Sequence, residues 1–360
     1  MLFVTPRYAP YIGGIETHVA EVGRRLAVCG YDVTVLTVDP GQTLPARERD
    51  GDVAIERVKS TGGDLYWSPE LYSAIRAGSW DLVHCQGIHT TVPALAMLAA
   101  RRSGIPFVVT FHTGGHDSHV RMRLRWLQWL ALAPLLRGAA DLIAVSRFEA
   151  ALWHRVPGLR RVPIEVIPNG AELPLPDPMP RPDPNLIISV GRLVGYKGHQ
   201  RAIAALAALL KLRPQVRLRI VGMGPYQDRL RALADRLGVA DRVEIAGISG
   251  ADRLAMAELL ATAAVVLLLS EYEAHPVAVL EAASLGRPVI AAETTGLREL
   301  IDRNIARGVP LHASPPEVAA AIDQELSAAR RAREPLPRWD DCANALMERY
   351  RIVLDEAHRS

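Results

Sequence analysis

The feature that most constrains the fold is a proline-rich tract in mid-chain that separates two runs of alternating strands and helices. From Pro174 to Pro184, every second residue is proline. Proline has no amide donor and keeps the backbone extended, so residues 171–184 are predicted to form a semi-rigid linker. The chain of 360 residues is long enough to give each of two domains its own core. We therefore predict domains at residues 1–170 and 185–335.

On both sides of the linker, short apolar runs alternate with helical segments, which is typical of doubly wound α/β domains with parallel sheets. The first half predicts strands near 2–5, 32–37, 53–58, 81–85, 106–110, 140–144 and 164–167, and helices near 15–29, 91–103, 120–136 and 146–154. The second half predicts strands near 186–190, 216–221, 242–246, 264–269, 288–291 and 308–311, and helices near 199–212, 225–237, 252–261, 277–285 and 315–331. A last helix near 338–357, in the segment 336–360, could pack back on the first domain.

Composition narrows the function classes. A formal net charge of +3 gives no support for nucleic-acid binding as the main activity. The three cysteines are far apart and lack metal-ligand spacing, so we expect neither disulfides nor a zinc site, and a reducing cytoplasm is the natural compartment. The first residues read as a strand and not as a signal peptide, and no segment approaches the ~20 apolar residues that span a bilayer. Lysine occurs only at Lys59, Lys197 and Lys211, which makes each of them notable.

Two glutamates stand eight positions apart in the segment Ser270–Glu281. The preceding run, residues 263–269, is short and rich in Val and Leu, which indicates a buried parallel strand. Pro276 suits the first position of a helix, where its missing N–H costs nothing. Glu273 therefore falls in the loop after the strand, and Glu281 lies inside the helix, about 7–8 Å further along its axis.

That separation is longer than the about 5–5.5 Å that a retaining glycosidase needs between its two carboxylates, so it disfavours such chemistry for this pair. Between the two acids, the amides of Val277 and Ala278 and the positive end of the helix dipole predict an anion site. An elongated ligand with a phosphate in its middle would fit. The spacing alone also allows the alternative that neither acid binds a ligand, with Glu273 a solvated loop residue and Glu281 an exposed helix residue.

A glycine-rich loop follows the first strand of the second half, at residues 189–199. Arg192 contributes a planar guanidinium that can donate two parallel hydrogen bonds, and Lys197 contributes a compact ammonium group. Two such cations in one loop suit the binding of a diphosphate. The loop does not match the P-loop pattern. Gly222 and Gly224 form a further tight turn, and Gly247 marks another loop at the same predicted sheet edge.

In the first half, Gly13 and Gly14 follow strand one and precede a helix, so the backbone there can approach a ligand closely. His112 stands at the end of another strand, where it is better placed for a cleft than for a core. Asn169 and Gly170 end the domain as a turn. Two α/β domains facing each other would leave a cleft at the carboxyl ends of their strands.

With these motifs in place, the chain resembles the retaining glycosyltransferases of family 4, also called glycosyl transferases group 1. This family includes phosphatidylinositol mannosyltransferases, sucrose synthase-like enzymes and bacterial polysaccharide transferases. The resemblance covers the whole chain. Its marks are Gly13-Gly14-Ile15-Glu16, Phe111-His112, Ala144-Val145-Ser146, Ile167-Pro168-Asn169-Gly170, Val190-Gly191-Arg192 with Lys197-Gly198, Val221-Gly222-Met223-Gly224-Pro225, and Glu273 with Glu281.

The resemblance implies the GT-B fold, with two Rossmann-like domains facing across a cleft. It also implies that Arg192 and Lys197 bind the donor diphosphate and offset charge on the leaving group. Glu273 would hold hydroxyls of the transferred sugar and Glu281 the ribose. The amides of Val277 and Ala278 would bind a phosphate.

For the remaining positions, the resemblance implies that Gly13 and Gly14 approach the diphosphate from the other domain and that His112 lies beside the sugar. The loop at Gly247 would meet the nucleobase, and Glu16 and Asn169 would lie on the acceptor side. The resemblance further implies that the donor is a nucleotide diphosphate sugar, which acts as substrate, and that no cofactor is needed. The acceptor would be a glycan, a lipid-linked molecule or a small molecule. The family transfers with retention at the anomeric carbon, by attack from the leaving group's own face.

Two segments depart from the family pattern. Ala274-His275-Pro276 stands where Gly-Phe-Gly is common, and Thr294-Thr295-Gly296 where a Gly-Gly pair often precedes the next helix. Both departures leave the identity of the donor sugar open. Asp50-Gly51-Asp52 spells a DxD metal motif but favours a turn before the strand at 53–58, so we assign no metal.

The segment 120–137 joins clustered arginines to a Trp- and Leu-rich surface. Such a composition suits an interfacial helix on anionic lipid. Its apolar positions also wrap much of the way round the helix, which fits burial against the sheet equally well. A peripheral membrane contact through this helix, on the cytoplasmic face, is therefore one of two predictions.

Two other functions share part of the pattern. A sugar-nucleotide 2-epimerase has the same two-domain plan but needs acid and base groups at the sugar ring, which we cannot place. A non-catalytic protein could bind a nucleotide sugar without transfer, although the presence of Arg192, Lys197 and Glu273 argues against it.

Overall fold

The computed structural model describes residues 1–11, 13–115, 119–249, 252–328 and 335–359. The chain separates into two compact units. Unit 1 consists of Met1–Gly114, Ser118–Gly170 and Pro337–Ser360, and unit 2 of Gly115–Asp117 and Ala171–Leu336. The final helix thus belongs to unit 1, where Arg25 Nε lies 2.7 Å from a carboxylate oxygen of Asp340 at the start of that helix.

Unit 1 alternates strands and helices along the chain. Its strands are β1 (Leu2–Val4), β2 (Thr34–Val38), β3 (Arg47–Asp50), β4 (Val53–Val58), β5 (Val83–Gln86), β6 (Phe107–Thr110), β7 (Asp141–Ala144) and β8 (Glu165–Val166). Its helices are α1 (Gly14–Val28), α2 (Pro69–Ala77), α3 (Thr91–Arg102), α4 (His119–Leu136), α5 (Arg147–Trp153) and α12 (Trp339–Arg359). The sheet order is β3-β4-β2-β1-β5-β6-β7-β8, in which only the β3–β4 pairing is antiparallel.

Unit 2 repeats this plan. Its strands are β9 (Leu186–Val190), β10 (Arg217–Val221), β11 (Val243–Ala246), β12 (Val265–Leu268), β13 (Val289–Ala292) and β14 (Arg307–Val309). Its helices are α6 (His199–Leu209), α7 (Gln227–Arg236), α8 (Arg253–Thr262), α9 (Val277–Ser284), α10 (Leu297–Asp302) and α11 (Pro315–Ser327). The order β11-β10-β9-β12-β13-β14 is entirely parallel.

Both sheets follow the doubly wound order, in which the chain starts near the middle and reverses direction across the sheet. The reversal lies between β1 and β5 in unit 1, and between β9 and β12 in unit 2. The central strands are apolar and buried on both faces because helices cover both sides. In such sheets, ligands bind beyond the carboxyl ends of the strands at the reversal point.

The structure differs from the predicted elements in a few places. Strand β3 has the sequence Arg-Glu-Arg-Asp and lies at the sheet edge, so it carries no apolar pattern by which it could be predicted. Helices α2 and α10 are also additions. Pro276 was expected to be the first helical residue, and this was wrong, because its ψ of 103° is extended and it caps α9 instead.

The turn predicted before the strand at 53–58 is present in the structure. Asp50-Gly51-Asp52 forms the hairpin between β3 and β4, with Gly51 at a φ of 60°. The linker 171–184 contains no helix or strand. Its first residues are not free of the domains, however, since Ala171 and Leu173 are buried in the core of unit 2.

Helix α4 has one side that is buried and another that is apolar and exposed. Trp129, Ala133 and Leu136 are buried against the unit 1 core, whereas Trp126 is 57% exposed and Leu130 40% exposed. The side chains of residues 120–123 lie outside the described part of the chain. Among the described residues, no helix is both long and apolar enough to cross a bilayer.

Candidate active site

The reversal point of unit 2 brings Lys197 and Glu273 together. Lys197 lies in the loop after β9 and Glu273 in the loop after β12, and Nζ is 2.6 Å from Oε1 of the glutamate. Gly198 makes this approach possible, because its φ is 78° and an added Cβ would lie 2.0 Å from the Leu269 carbonyl oxygen. Both charged groups are largely buried. The pair therefore places a cation and a carboxylate side by side at the strand ends.

Arg192 occupies the same loop as Lys197. Its Nη2 donates to the Tyr196 hydroxyl at 2.8 Å. The buried side chain of His199 holds this loop. Its Nδ1 lies 2.8 Å from Ser189 Oγ, and its Nε2 lies 3.3 Å from the Arg192 carbonyl oxygen. Burial lowers the pKa of His199 to about 4, so a neutral ring accepts from the serine and donates to the carbonyl.

The loop that carries Glu273 is held by a neighbouring turn. The amide of Glu273 donates to Thr295 Oγ1 at 2.9 Å, and the amide of Gly296 donates to the Glu273 carbonyl at 2.9 Å. Thr295 adopts a φ of 40° at a position where the family pattern favours glycine. A Cβ on Gly296 would lie 1.9 Å from the Ala274 carbonyl oxygen. The Thr294-Thr295-Gly296 departure thus builds the support of Glu273.

Glu281 lies in the second turn of α9 and is only 5% exposed. Arg253, at the start of α8, places Nη1 2.7 Å from Glu281 Oε1. Since Glu273 is also only 9% exposed, the alternative of two solvated acids is wrong. Val277 and Ala278 form the first turn of α9, between the two acids. Gly247 follows β11 at an exposed position beside the Met223 side chain.

In unit 1, the predicted glycines follow β1, which flanks the reversal point of that sheet. Gly13 is the N-cap of α1 and Gly14 its first residue, directly after the loop that follows β1. The Glu16 side chain folds back over Gly13, since an added Cβ on Gly13 would lie 2.2 Å from a Glu16 carboxylate oxygen. Only a glycine backbone leaves room for this contact.

His112 belongs to a buried polar cluster after β6. Its Nε2 lies 2.8 Å from Oε1 of Gln86, the last residue of β5. Its ring meets the His18 ring edge-on at 4.7 Å between centroids. His18 Nδ1 in turn lies 2.9 Å from Asn169 Oδ1, so Asn169 is buried and not open to the surface.

The His18 ring is neutral in the folded protein. Burial lowers its pKa to about 4, an effect that the hydrogen bond to Asn169 only partly opposes. The ring also packs edge-on against Trp339 of α12 at 6.1 Å. The cluster therefore connects α1, the end of β6 and the final helix.

Several residues of these two clusters were not predicted from sequence. Arg253 is one of many arginines and follows no motif, so nothing marked it. Thr295 and His199 lay beside predicted residues but had no chemical signature of their own. Gln86 and His18 are placed by sheet order and helix phase, which a single sequence does not reveal. Within the described part of the chain, no group of three or more His, Cys, Asp or Glu side chains is arranged to hold a metal ion.

Comparison with known families agrees with this arrangement. Residues 12–173 match the family model described as Glycosyltransferase Family 4, and residues 177–334 match Glycosyl transferases group 1. The two matches follow one another along the chain and together span nearly all of it.

Individual proteins give the same result. The chain is 30% identical to a glycogen synthase of Mycobacterium tuberculosis, over 97% of this chain and 94% of that protein. It is 29% identical to a D-inositol 3-phosphate glycosyltransferase of Nocardiopsis dassonvillei, over 88% and 82% of the two chains. Among solved structures, sucrose-phosphate synthase of Thermosynechococcus elongatus matches with a TM-score of 0.77 at 20% identity, covering 99% of both chains. HepE of Anabaena, in complex with UDP and glucose, matches with a TM-score of 0.73 at 20% identity, covering 96% and 98%. These structural matches establish the GT-B fold.

Proposed function

We propose that this chain, which belongs to glycosyltransferase family 4 (glycosyl transferases group 1), transfers a hexosyl-type sugar from a nucleoside diphosphate sugar to an acceptor hydroxyl. The transfer would retain the configuration of the anomeric carbon and need no metal ion. The acceptor would be a glycan, a lipid-linked molecule or a small molecule.

The observation that carries the proposal is the Lys197–Glu273 pair beside Arg192. A diphosphate needs fixed cations, and a sugar ring needs a carboxylate that can accept hydrogen bonds from its hydroxyls. Both requirements are met at one edge of one sheet, in the loops after two neighbouring strands. The first turn of α9 adds backbone amides for a phosphate oxygen.

In the proposed reaction, the acceptor hydroxyl attacks the anomeric carbon from the face that the diphosphate leaves. The bond from that carbon to the diphosphate oxygen breaks as the new glycosidic bond forms. The departing phosphate oxygen accepts the acceptor's proton. Arg192 and Lys197 stabilise the negative charge that grows on the diphosphate, and a cation fixed in a partly buried site does so without reorganisation.

The same arrangement explains why no carboxylate is assigned as a nucleophile. Glu273 is engaged by Lys197 at 2.6 Å, and Glu281 by Arg253 at 2.7 Å. An opposite charge at this distance stabilises the carboxylate and weakens it as a nucleophile. We assign Glu273 to the sugar hydroxyls and Glu281 to the ribose.

The donor is proposed from the chemistry of similar proteins. HepE was solved with UDP and glucose and with UDP-glucose. A uridine diphosphate hexose is therefore the first donor to test. A thermal-shift screen of nucleoside diphosphates and their sugars would rank donors, because a ligand that binds only the folded state raises the apparent stability.

Product analysis tests the activity itself. The protein is incubated with the best donor of the screen and a panel of glucan, lipid-linked and phosphorylated acceptors. Glycosyl transfer releases free nucleoside diphosphate only when an acceptor is present, and NMR of the product gives the anomeric configuration. Release of a new sugar without acceptor would indicate an epimerase, and binding without any product would indicate a non-catalytic protein.

We also propose that the exposed face of α4, formed by Leu124, Trp126, Leu127 and Leu130, contacts anionic membrane. Arg125 is not part of this face, because it donates to the Gly114 carbonyl at 2.5 Å and stacks on Trp129. Large exposed apolar side chains on one side of a helix suit insertion at a lipid interface.

Co-sedimentation with phosphatidylglycerol-containing vesicles tests this contact. The double variant Trp126→Ser/Leu130→Ser should lose binding at low salt. The matched control is Trp67→Ser, which removes a similarly exposed tryptophan that lies outside α4, just before α2. Equal binding by the wild type and the double variant would contradict the contact.

A further inference from the structure

The backbone of His112 is held in an uncommon conformation. Its φ of 46° lies in the left-handed region, which residues with a Cβ rarely adopt. Such a conformation persists only where the surrounding structure holds it, and it is concentrated at functional sites. His112 is itself buried at the end of β6. The question is which contacts hold it.

The ring of His112 is held by Gln86. Oε1 of this glutamine lies 2.8 Å from His112 Nε2, and an amide oxygen can only accept. The contact therefore requires the tautomer with the proton on Nε2. Gln86 is completely buried, and its Nε2 has no hydrogen-bond partner within the described part of the chain. A buried amide group whose N–H donors have no partner costs free energy. A glutamine at this position is therefore explained by the use of its oxygen as an acceptor.

The backbone beside His112 is held by Glu149. Oε1 of this glutamate accepts the amide hydrogen of Thr113, and Oε2 accepts that of Val145 at 2.9 Å. The glutamate is fully buried. Burial raises its pKa, and the hydrogen bonds from Thr113 and Val145 oppose this rise. Trp153 adds a third contact by donating Nε1–H to Thr113 Oγ1 at 3.1 Å.

Helix capping does not explain why Glu149 is an acid. It stands three residues after Ser146, the N-cap of α5, and its amide donates to Ser146 Oγ at 3.1 Å. In a capping box, the glutamate side chain would reach back to the amide of the capping serine. Here the carboxylate bonds instead to the amides of Thr113 and Val145. One of its two carboxylate oxygens thus accepts a hydrogen bond from Thr113, the residue after His112.

We propose that Gln86 and Glu149 are positioning residues that together fix the tautomer and the backbone of His112. Gln86 holds the ring with Nε2 protonated, and Glu149 holds the left-handed turn through Thr113. The inference rests on the proposed function, in which His112 lies beside the transferred sugar. It extends that function by assigning two buried residues to the support of His112.

The first test reads the tautomer directly, whether or not sugar is transferred. Protein with ¹⁵N-labelled histidine gives separate Nδ1 and Nε2 signals, and His112→Asn identifies the His112 signals among those of the eleven histidines. We expect a protonated Nε2 in the wild type. Gln86→Leu should introduce the Nδ1–H form, and Gln86→Glu should restore the Nε2–H form because a carboxylate also accepts.

The second test concerns Glu149, with Asp141→Asn as matched control. Asp141 is also a buried acid of unit 1 that accepts a backbone amide, that of Leu142, but it does not touch the His112 turn. Hydrogen exchange of the Thr113 amide should accelerate at least about tenfold in Glu149→Gln and stay unchanged in Asp141→Asn, because only the first removes the carboxylate that accepts the Thr113 amide.

Kinetics add a measurement that general destabilisation would not reproduce. Glu149→Gln should lower kcat more than about tenfold with the donor KM within about threefold, since the donor-binding cations lie in unit 2. If this variant does not fold, Trp153→Phe keeps an aromatic ring that can stack on Phe111 but removes the donor to Thr113, together with part of the packing against Trp129. It should accelerate Thr113 exchange by a smaller factor and lower kcat a few-fold.

Three results would overturn the assignment. They are an unprotonated Nε2 in the wild type, an unchanged tautomer in Gln86→Leu, or equal Thr113 exchange and kcat in Glu149→Gln and Asp141→Asn. A wild-type protein that transfers no sugar would contradict the proposed function instead. The tautomer and exchange measurements on that same protein would still decide the roles of Gln86 and Glu149.

Discussion

Both units have a doubly wound sheet, of eight strands in unit 1 and six in unit 2, but they hold their candidate site residues by different means. In unit 2, buried opposite charges meet, as Lys197 with Glu273 and Arg253 with Glu281. In unit 1, the contacts around His112 come from a neutral ring, an amide and a carboxylate that bonds only to uncharged Thr113 and Val145 among the described residues.

The difference follows from what each unit is proposed to handle. A diphosphate brings charge into the site, so unit 2 needs cations, and their buried carboxylate partners lower the cost of keeping those cations away from water. A histidine beside an uncharged sugar needs a defined orientation, which buried hydrogen bonds from an amide and a carboxylate provide without any cation. Doubly wound sheets thus support a site of paired charges in unit 2 and a site without an ion pair at Glu149, within the described residues, in unit 1.

The largest expected effect concerns the buried charges of unit 2. Arg253→Ala leaves Glu281 buried without its ion-pair partner, so the free energy of unfolding should fall by about 3 kcal/mol or more. The double variant Arg253→Ala/Glu281→Ala should recover part of that loss. Urea denaturation measures both.

The control for this prediction is Arg231→Ala, because Arg231 pairs with Asp228 at 3.5 Å on the exposed surface. It should change stability little. If Arg231→Ala and Arg253→Ala lower the free energy of unfolding by the same amount, the buried ion pair would contribute no more to stability than an exposed one.

The next effect compares one buried histidine from each unit. His18 in unit 1 and His199 in unit 2 both have a pKa lowered by burial to about 4, against 6.5 in the unfolded chain. Between these values, only the unfolded state takes up the proton, so stability is fully present above pH 6.5 and is lost as pH falls towards 4. Each residue should account for about 3 kcal/mol of that loss, at about 1.4 kcal/mol per pH unit.

Unfolding free energies measured from pH 7 to pH 4 in the wild type, His18→Asn and His199→Asn test this prediction. Each variant should flatten the curve by a similar amount. If the dependence of stability on pH became weaker in only one variant, burial would lower the pKa of only that histidine, and the two units would differ in the burial of their histidines.

The third effect falls on turnover. Lys197→Ala and Arg192→Ala should each lower kcat more than about tenfold with the fold retained, because stabilisation of the leaving diphosphate is lost. Lys211→Ala, which removes an exposed lysine of the same unit, is the control. Near-normal kcat in both Lys197→Ala and Arg192→Ala would remove the diphosphate assignment and with it the reason for the charged site.

The smallest effect concerns the support of Glu273. Thr295→Val keeps the shape of the side chain but removes the oxygen that accepts the Glu273 amide. Loss of one such hydrogen bond should lower kcat/KM by about three- to fivefold. Thr294→Val, whose hydroxyl bonds to the Glu271 carbonyl, is the control and should have a weaker effect. Equal values for the two variants would show that the position of the Glu273 amide does not matter.

Much of the fold could be predicted because its signals are local. Short apolar runs identify β1, β9 and β12, and the glycine turns after strands identify the loops at the sheet edge. Strand β3 could not be predicted, because an exposed edge strand made only of charged residues has no apolar period. The burial of Ala171 and Leu173 also has no local signal, since it depends on the packing of unit 2.

The candidate site divides in the same way. Loop position and residue type pointed to Lys197, Glu273 and His112 before the tertiary structure was considered, and the resemblance of the ordered motifs supplied their expected roles. The contacts of these residues could not be predicted, because Thr295, Gln86 and Glu149 lie 22 or more positions away along the chain from the residues they hold.

The sequence by itself determined the class of this protein, because proline spacing, strand and helix periods and short motifs are properties of neighbouring residues. Only the tertiary structure decided that the two glutamates are buried and paired, and that His112 is held by two residues outside its own loop. The physical reason is that burial, ion pairing and tautomer depend on groups that sheet order brings together. In both units, that order brings loops that follow different strands close to one another.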